Sequence, residues 1–163
     1  MPGKPGVTIE IRALQSGEEA EISRFVAEIF AGQIAPLYSE QGRKEFLRFI
    51  EPAAMKARAE AGALQLVAET RPDGPRLAGM VEVRDYRHVC LLFVAPGYQR
   101  RGVGGRLLKK ALAACRQRGA AKVTVNSSPN AVAAYRRFGF RPLEPEKEVK
   151  GIRFVPMAKS IKE

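Results

Sequence analysis

The chain is 163 residues long and carries 28 Lys and Arg against 17 Asp and Glu, a formal charge of +11. That length suits one domain and allows roughly 70% of the unfolded surface to be buried, so neither a disulfide nor a metal is needed to hold a core. With 45% hydrophobic and 28% charged residues, the composition is that of a soluble globular protein and excludes disorder over most of the length.

The leading Pro/Gly-rich residues 1–6 read as a loose leader, and residues 7–163 as a single domain. The first strand is expected over 7–14, where Val7, Ile9, Ile11 and Ala13 alternate with polar residues, the period of a half-buried strand. Ser16 then precedes Glu18, Glu19 and Glu21, acids that suit a helix N-terminus. Ile22, Phe25, Val26, Ile29 and Phe30 give that helix one buried face. Ser39 reads as the cap of a second helix reaching about Glu60, with Pro52 as a kink and Gly62 as its stop.

The middle is β-rich. Residues 64–70 and 77–84 read as strands joined by the Arg-Pro-Asp-Gly-Pro turn signal. Residues 89–94 form a continuous apolar run, expected of a strand covered on both faces. A helix over about 102–118 follows, with Val103, Leu107, Leu108, Ala111, Leu112 and Cys115 on one side and mostly Arg and Lys on the other. Residues 122–125 alternate as a strand, a short helix runs from Ser128-Pro129 through Phe138, Phe140 opens a strand, and 152–158 is the last.

The longest apolar run, residues 89–95, spans only seven positions, far short of the roughly 20 that cross a bilayer. The start does not continue into the apolar stretch of a secretory signal, so a cytoplasmic, membrane-free protein is expected. Cys90 and Cys115 read as small buried residues without metal-ligand spacing, and a single histidine, His88, gives metal-dependent hydrolysis little support; no metal is expected.

The basic excess is local. Residues 1–60 and 61–83 each sum to −1, whereas 84–118 sum to +8 and 119–163 to +5. This distribution suggests a local anionic partner as readily as a sticky surface. Within the most basic block an apolar strand, Leu91 to Val94, runs through Ala95-Pro96-Gly97-Tyr98-Gln99-Arg100-Arg101-Gly102-Val103-Gly104-Gly105 into a basic helix. A glycine-rich turn opening a helix is a phosphate cradle in chemical terms, because helix N-termini present unpaired N–H groups and glycine lets the backbone come close. Arg100, Arg101 and Arg106 would add charge-assisted contacts. There is no Gly-Lys-Ser/Thr, and the glycine spacing is not that of the dinucleotide fingerprint.

Gln99, two residues, Gly102, one residue and Gly104, placed between a strand and a helix, resembles the acetyl-CoA pyrophosphate signature of the GNAT superfamily of N-acetyltransferases. Downstream, Asn126-Ser127-Ser128-Pro129-Asn130 leading to Tyr135 and then Gly139-Phe140 resembles the family's second strand–helix segment. The resemblance implies a three-layer α/β fold: a mixed, mostly antiparallel sheet with a splayed parallel strand pair and helices on both faces. It implies acetyl-CoA as co-substrate, with the pantetheine arm lying between the strands at 89–94 and 122–125. Backbone groups of Leu92, Phe93 and Val94 would meet that arm, and the amides of Gln99, Arg100, Arg101, Gly102, Val103, Gly104 and Gly105 would hold the pyrophosphate. Asn126 and Asn130 either touch the pantetheine or cap the turn and the helix.

By the same resemblance Tyr135 is the acid beside the thioester sulfur. A phenol with a pKa about 10 can serve a thiolate whose thiol lies near 8.5 to 9, although the residues around it also fit a core aromatic. An attacking amine must first lose a proton, and Glu82 is the leading candidate to accept it, with Asp85 and His88 behind; all three also fit solvated strand ends. Gln33, Tyr38, Glu28 and Glu69 are candidates to face the acceptor. The implied activity is direct acetyl transfer to a primary amine of a small molecule or polypeptide, with a homodimer plausible. Competing readings are an acetyl-CoA sensor without catalysis and, less favoured for want of base-reading or stacking motifs, a nucleic-acid-associated protein.

Overall fold

The computed structural model describes residues 8–71 and 77–162. The leader, and all of the Arg-Pro-Asp-Gly-Pro turn after Arg71, lie outside the described residues. The alternating start forms β1 (Thr8–Ala13), and α1 (Glu19–Gln33) follows. The expected long second helix is instead two helices, α2 (Glu40–Phe49) and α3 (Pro52–Glu60). The cause is local: a residue before proline is pushed out of the helical region, Glu51 accordingly has ψ 142°, and Pro52 opens α3 at a position where its missing N–H costs nothing. Ser39 caps α2, its hydroxyl accepting from the Gly42 N–H at 3.1 Å.

The remaining elements are β2 (Leu64–Arg71), β3 (Leu77–Arg84), β4 (His88–Val94), α4 (Val103–Gln117), β5 (Lys122–Ser127), α5 (Val132–Arg137), β6 (Arg141–Pro142), β7 (Lys147–Val149) and β8 (Ile152–Ser160). The short helix expected from Ser128 is a 3-10 turn, Pro129–Ala131, running into α5. The sheet order is β1-β2-β3-β4-β5-β8-β6, with β7 also pairing β8. Every described pairing is antiparallel except β4–β5.

Helices cover both faces, which is why β2 and β3 are buried almost continuously. On one face Leu66, Ala68, Val81 and Val83 pack with Val103, Leu107, Leu108 and Ala111 of α4. On the other, Val67, Met80, Leu91 and Phe93 meet Ile22, Val26, Ile29 and Phe30 of α1 together with Ile50 and Met55. Gly79 admits α4 to close range: a Cβ there would stand 2.9 Å from Leu107 Cδ1. No described helix is long and apolar enough to cross a membrane.

One irregularity shapes the centre of the sheet. The β3–β4 register runs Glu82↔Leu91 and then Val83↔Val89, so Cys90 is an extra residue on β4. Such a bulge bends a strand and increases its twist. The parallel pairing of β4 with β5 is confined to His88↔Thr124 and Val89↔Val125, ending where the bulge begins. Beyond it the strands part.

Candidate active site

The opening between β4 and β5 exposes backbone groups. Ala95 N–H bonds to Ala78 O at 2.8 Å, on the β3 side. Alternate residues of an antiparallel strand direct their backbone groups to the same neighbour, so Phe93 faces β3 while Leu92 and Val94 aim at the splay. Of the three residues expected to meet the pantetheine, Leu92 presents its main-chain N–H and carbonyl there and Val94 its N–H, the Val94 carbonyl accepting from Gln99 Nε2. Phe93 does not, and its side chain lies in the core beneath α1.

The turn after β4 leads to the N-terminus of α4. Arg100 (φ 65°) and Gly102 (φ 82°) are both left-handed, a conformation glycine adopts freely and arginine at a cost of about 1–2 kcal/mol. No side chain caps α4, and its first internal bond from this end runs from Arg106 N–H to Gly102 O at 3.0 Å. The N–H groups of Val103, Gly104 and Gly105 are thus left to an anion, with the helix dipole behind them. A Cβ on Gly104 would already stand 3.3 Å from Val94 Cγ2, so the missing side chain keeps the cradle open. Gln99 uses its side chain otherwise, donating to Val94 O at 3.0 Å and to Gln33 Oε1 at 3.2 Å. Arg100 and Arg101 are exposed beside the cradle. Other cations of the +8 block serve the fold: Arg106 donates to Ile9 O, Arg116 to Ile161 O, and Arg118 covers the Tyr86 ring.

Tyr135 is held by the end of α5. Phe140 N–H bonds to Tyr135 O at 2.9 Å and Gly139 N–H to Arg136 O at 3.0 Å, the paired bonds of a Schellman cap, with Gly139 at φ 97°. Its usual hydrophobic partner contact is the T-shaped pair Tyr135–Phe140, centroids 5.4 Å apart. The spacing of Tyr135 to Gly139-Phe140 is therefore the cap that fixes the ring. The side chain is only 7% exposed, and burial raises its pKa above the ordinary phenol value. Its hydroxyl has no hydrogen bond among the described residues, yet no buried side-chain oxygen lacks a partner; the oxygen must therefore reach accessible space. A buried ring with a free, protonated hydroxyl is equipped to donate.

The two asparagines separate. Asn130 caps no helix: its Nδ2 donates to Gln33 O at 2.9 Å, and its Oδ1 accepts from Ser128 Oγ at 2.7 Å. Gln33 was placed by sequence among the acceptor-facing candidates. It instead ends α1 as a bridge, its side chain on Gln99 and its carbonyl on Asn130. Asn126 is exposed on β5 just past the last β4–β5 pair and lines a cavity of about 310 Å³ with Tyr38, Glu45, Val149, Lys150, Ile152 and Phe154. Tyr38 was named from sequence; Glu45 and Lys150 were not, because nothing in their local sequence marks them.

The carboxylates differ from expectation. Glu82 is 0% exposed and accepts from Nε and Nη2 along one guanidinium edge of Arg58, at 2.6 and 3.2 Å, and from Gln65 Nε2 at 3.1 Å. Both oxygens are committed to the core, closed to an incoming amine as they stand. Glu69 is likewise engaged, by Arg12 and Arg71, and lies on β2 away from the splay. Asp85 and Tyr86 (both φ 54°) form the β3–β4 turn, leaving Asp85 exposed beside Arg84. His88 bonds Thr124 Oγ1 at 2.8 Å across the first parallel pair; burial, then Arg84, lowers its pKa. Cys90 is held as a thiol, its pKa raised by burial and then by Glu82.

The acetyltransferase (GNAT) domain family matches residues 34–161. No functionally curated protein matches the chain. Among solved structures, a GCN5-related N-acetyltransferase from Rhodopseudomonas palustris superposes with a TM-score of 0.80 at 23% identity, covering 94% of this chain and 96% of that one. The PaiA N-acetyltransferase of Thermoplasma acidophilum, in complex with coenzyme A, gives 0.74 at 20% identity over 94% and 99%. YncA of Salmonella typhimurium, a putative acetyltransferase with acetyl-CoA, gives 0.66 at 19% over 96% and 95%. These likenesses establish the fold, and the family match covers most of the chain. With the splayed parallel pair, the uncapped glycine-rich helix start and the family match in hand, the chain belongs to the GNAT family, enzymes of the acetyl-CoA-dependent N-acetyltransferase class.

Proposed function

We propose that the protein transfers the acetyl group of acetyl-CoA directly to a primary amine. The observation that carries this reading is the uncapped, glycine-rich start of α4 directly after the strand whose pairing with β5 stops at Val89↔Val125; the hydroxyl of Tyr135, which has no hydrogen bond among the described residues, is the donor the reading calls on. Bound acetyl-CoA supplies an activated acetyl group as its thioester. The α4 amides, with Arg100 and Arg101, neutralise the pyrophosphate. Leu92 and Val94 pair with the amide-bearing arm, and a donor from this edge polarises the thioester carbonyl. Solved structures of GNAT relatives bound to coenzyme A and to acetyl-CoA support the choice of ligand.

The C–N bond forms as the C–S bond breaks. The amine releases one proton before attack and another as the amide forms; the departing thiolate takes a proton from Tyr135, the tyrosinate regains one of the amine's two, and the other leaves to water. With Glu82 closed off, water in the open cavity beside Asn126 is the route for the amine's proton. The protonated Cys90 thiol supports transfer without an acetyl-enzyme.

Thiol release from acetyl-CoA with a panel of amines tests this. Tyr135→Phe is expected to lower kcat by about 10²- to 10⁴-fold with acetyl-CoA affinity and folding unchanged, since the hydroxyl bonds nothing in the protein. The rate should rise with pH as the amine, pKa about 10.4, deprotonates. Because burial raises the pKa of Tyr135, no alkaline fall is expected below about pH 10. Acetyl-CoA binding with no turnover of any amine and no effect of Tyr135→Phe identifies a sensor; a stable acetyl group on Cys90 overturns direct transfer.

A further inference from the structure

We infer that the acceptor is an aminocarboxylate of amino-acid size with an apolar side chain, its carboxylate held by Lys150. The inference rests on the proposed acetyl transfer and names the substrate class of that same site. Four observations carry it: the size of the cavity beside Asn126, its rigid frame, its apolar walls and its one unpaired charge.

At about 310 Å³ the cavity is at the small end of ligand sites. At ~30 Å³ per water it holds about ten water volumes, room for a group of roughly that many heavy atoms. Its floor is Asn126 of β5 with Ile152 and Phe154 of β8, and its walls are Tyr38, Glu45 of α2, Val149 and Lys150. The frame is fixed. Lys150 (φ 53°) and Gly151 (φ 80°) make the two-residue turn between β7 and β8. The tip of that turn is bonded to the start of α2, Ser39 N–H donating to Gly151 O at 3.2 Å. Contact is so close that a Cβ on Gly42 would stand 2.1 Å from Gly151 O. Neither Lys150 nor the helix can swing away without breaking this junction.

The charges at the rim are unequal. Glu45 is already paired with Arg48 at 3.1 Å. Lys150 has no ion pair or side-chain hydrogen bond among the described residues. Lys150 is therefore the lining cation without an ion pair, in a cavity whose apolar lining is Val149, Ile152, Phe154 and the Tyr38 ring. An acceptor matched to it carries an anionic group for Lys150, an apolar body for those walls, and an amine directed past Asn126 toward the splay. A polyamine matches poorly, because it brings a second cation toward Lys150 and offers nothing to the apolar walls.

The test compares acceptors that keep the side chain and alter or remove the carboxylate, with rates referred to the free-amine concentration of each: L-phenylalanine and L-leucine against their methyl esters and against phenethylamine and isoamylamine, with spermidine as the polyamine. The amino acids are expected to have kcat/KM about tenfold or more above the esters and simple amines, the scale of one charge-assisted contact. Lys150→Asn, which tolerates the left-handed turn position, should bring that ratio near unity, and Lys150→Glu should invert it. Equal loss on charged and uncharged acceptors, or preference for spermidine, overturns the inference. If no amine in the panel is turned over, calorimetry of N-acetyl-L-phenylalanine with the CoA-bound protein decides: saturable binding weakened by Lys150→Asn supports it, and no binding overturns it. Acetyl-CoA calorimetry separates the two levels, for absence of acetyl-CoA binding sinks the acetyl-transfer reading itself, whereas normal binding with no carboxylate preference sinks only the acceptor class.

Discussion

The two sides of the site are built from different materials. The cofactor side, formed by β4, β5, α4 and α5, works with main-chain groups: the amides opening α4, the splay-facing groups of Leu92 and Val94, and a Schellman cap that fixes Tyr135. The proposed acceptor side would work with side chains from α2, β5 and the β7–β8 hairpin, assembled across more than a hundred residues of chain from Tyr38 to Phe154. Main-chain recognition reads no side chain, so it fits the part of a ligand that any donor row can hold. Side-chain recognition sets what may approach. One fold thereby separates a fixed cofactor grip from a changeable acceptor pocket.

Glu82 gives the largest expected effect and the sharpest test of that division, because it sits on the acceptor face of the sheet yet belongs to neither side. Removing one partner from a buried ion pair leaves the other uncompensated, at a cost of about 3–5 kcal/mol. Glu82→Gln, which strands Arg58, should lower urea stability on that scale while leaving kcat intact where the protein remains folded. A large fall in kcat with stability preserved would instead make Glu82 the base and place catalysis in the core between β3 and α3.

On the cofactor side, Gly104→Leu fills the cradle. A Cβ there already reaches 3.3 Å from Val94 Cγ2 and 4.0 Å from Phe138 Cζ, so a longer side chain must displace these neighbours at the start of α4. Acetyl-CoA binding measured by calorimetry should weaken by about tenfold or more, with the acceptor preference unchanged. A shift in acceptor preference would show that the two sides are mechanically joined.

What could be read from sequence follows the same line. Glycines, prolines and caps act through their immediate neighbours, so the turn at Gly102-Val103-Gly104, the cap at Gly139-Phe140 and the cap at Ser39 were legible from spacing alone. The break between α2 and α3 was half legible: Pro52 announced it as a kink, but whether two helices diverge depends on the packing of Ile50 and Met55 under the sheet. Glu82 misled because a carboxylate on an alternating strand looks the same whether it faces solvent or a guanidinium folded over it 24 residues away in sequence. Lys150 and Glu45 carried no mark at all, since each becomes a wall only when the hairpin tip meets α2. The bulge at Cys90 was also hidden: an apolar run shows burial on both faces but not the one extra residue that ends the β4–β5 ladder.

Gln33 gives the smallest expected effect and tests how the cofactor side is held together, because from the end of α1 it touches both the turn at Gln99 and the segment at Asn130. Its two ties use different atoms. The side-chain amide oxygen accepts from Gln99, and the main-chain carbonyl accepts from Asn130. Gln33→Ala removes the first and leaves the second; Asn130→Ala does the reverse. An exposed hydrogen bond contributes about 0.5–1.5 kcal/mol net, so each variant should weaken acetyl-CoA binding by less than about tenfold. If α1 merely rests against two independent walls, the double variant should show the sum of the single effects within about 0.5 kcal/mol. A double loss well short of that sum would mean that either tie holds the turn and α5 together only while the other is intact, making the end of α1 a single strap across the cofactor cleft.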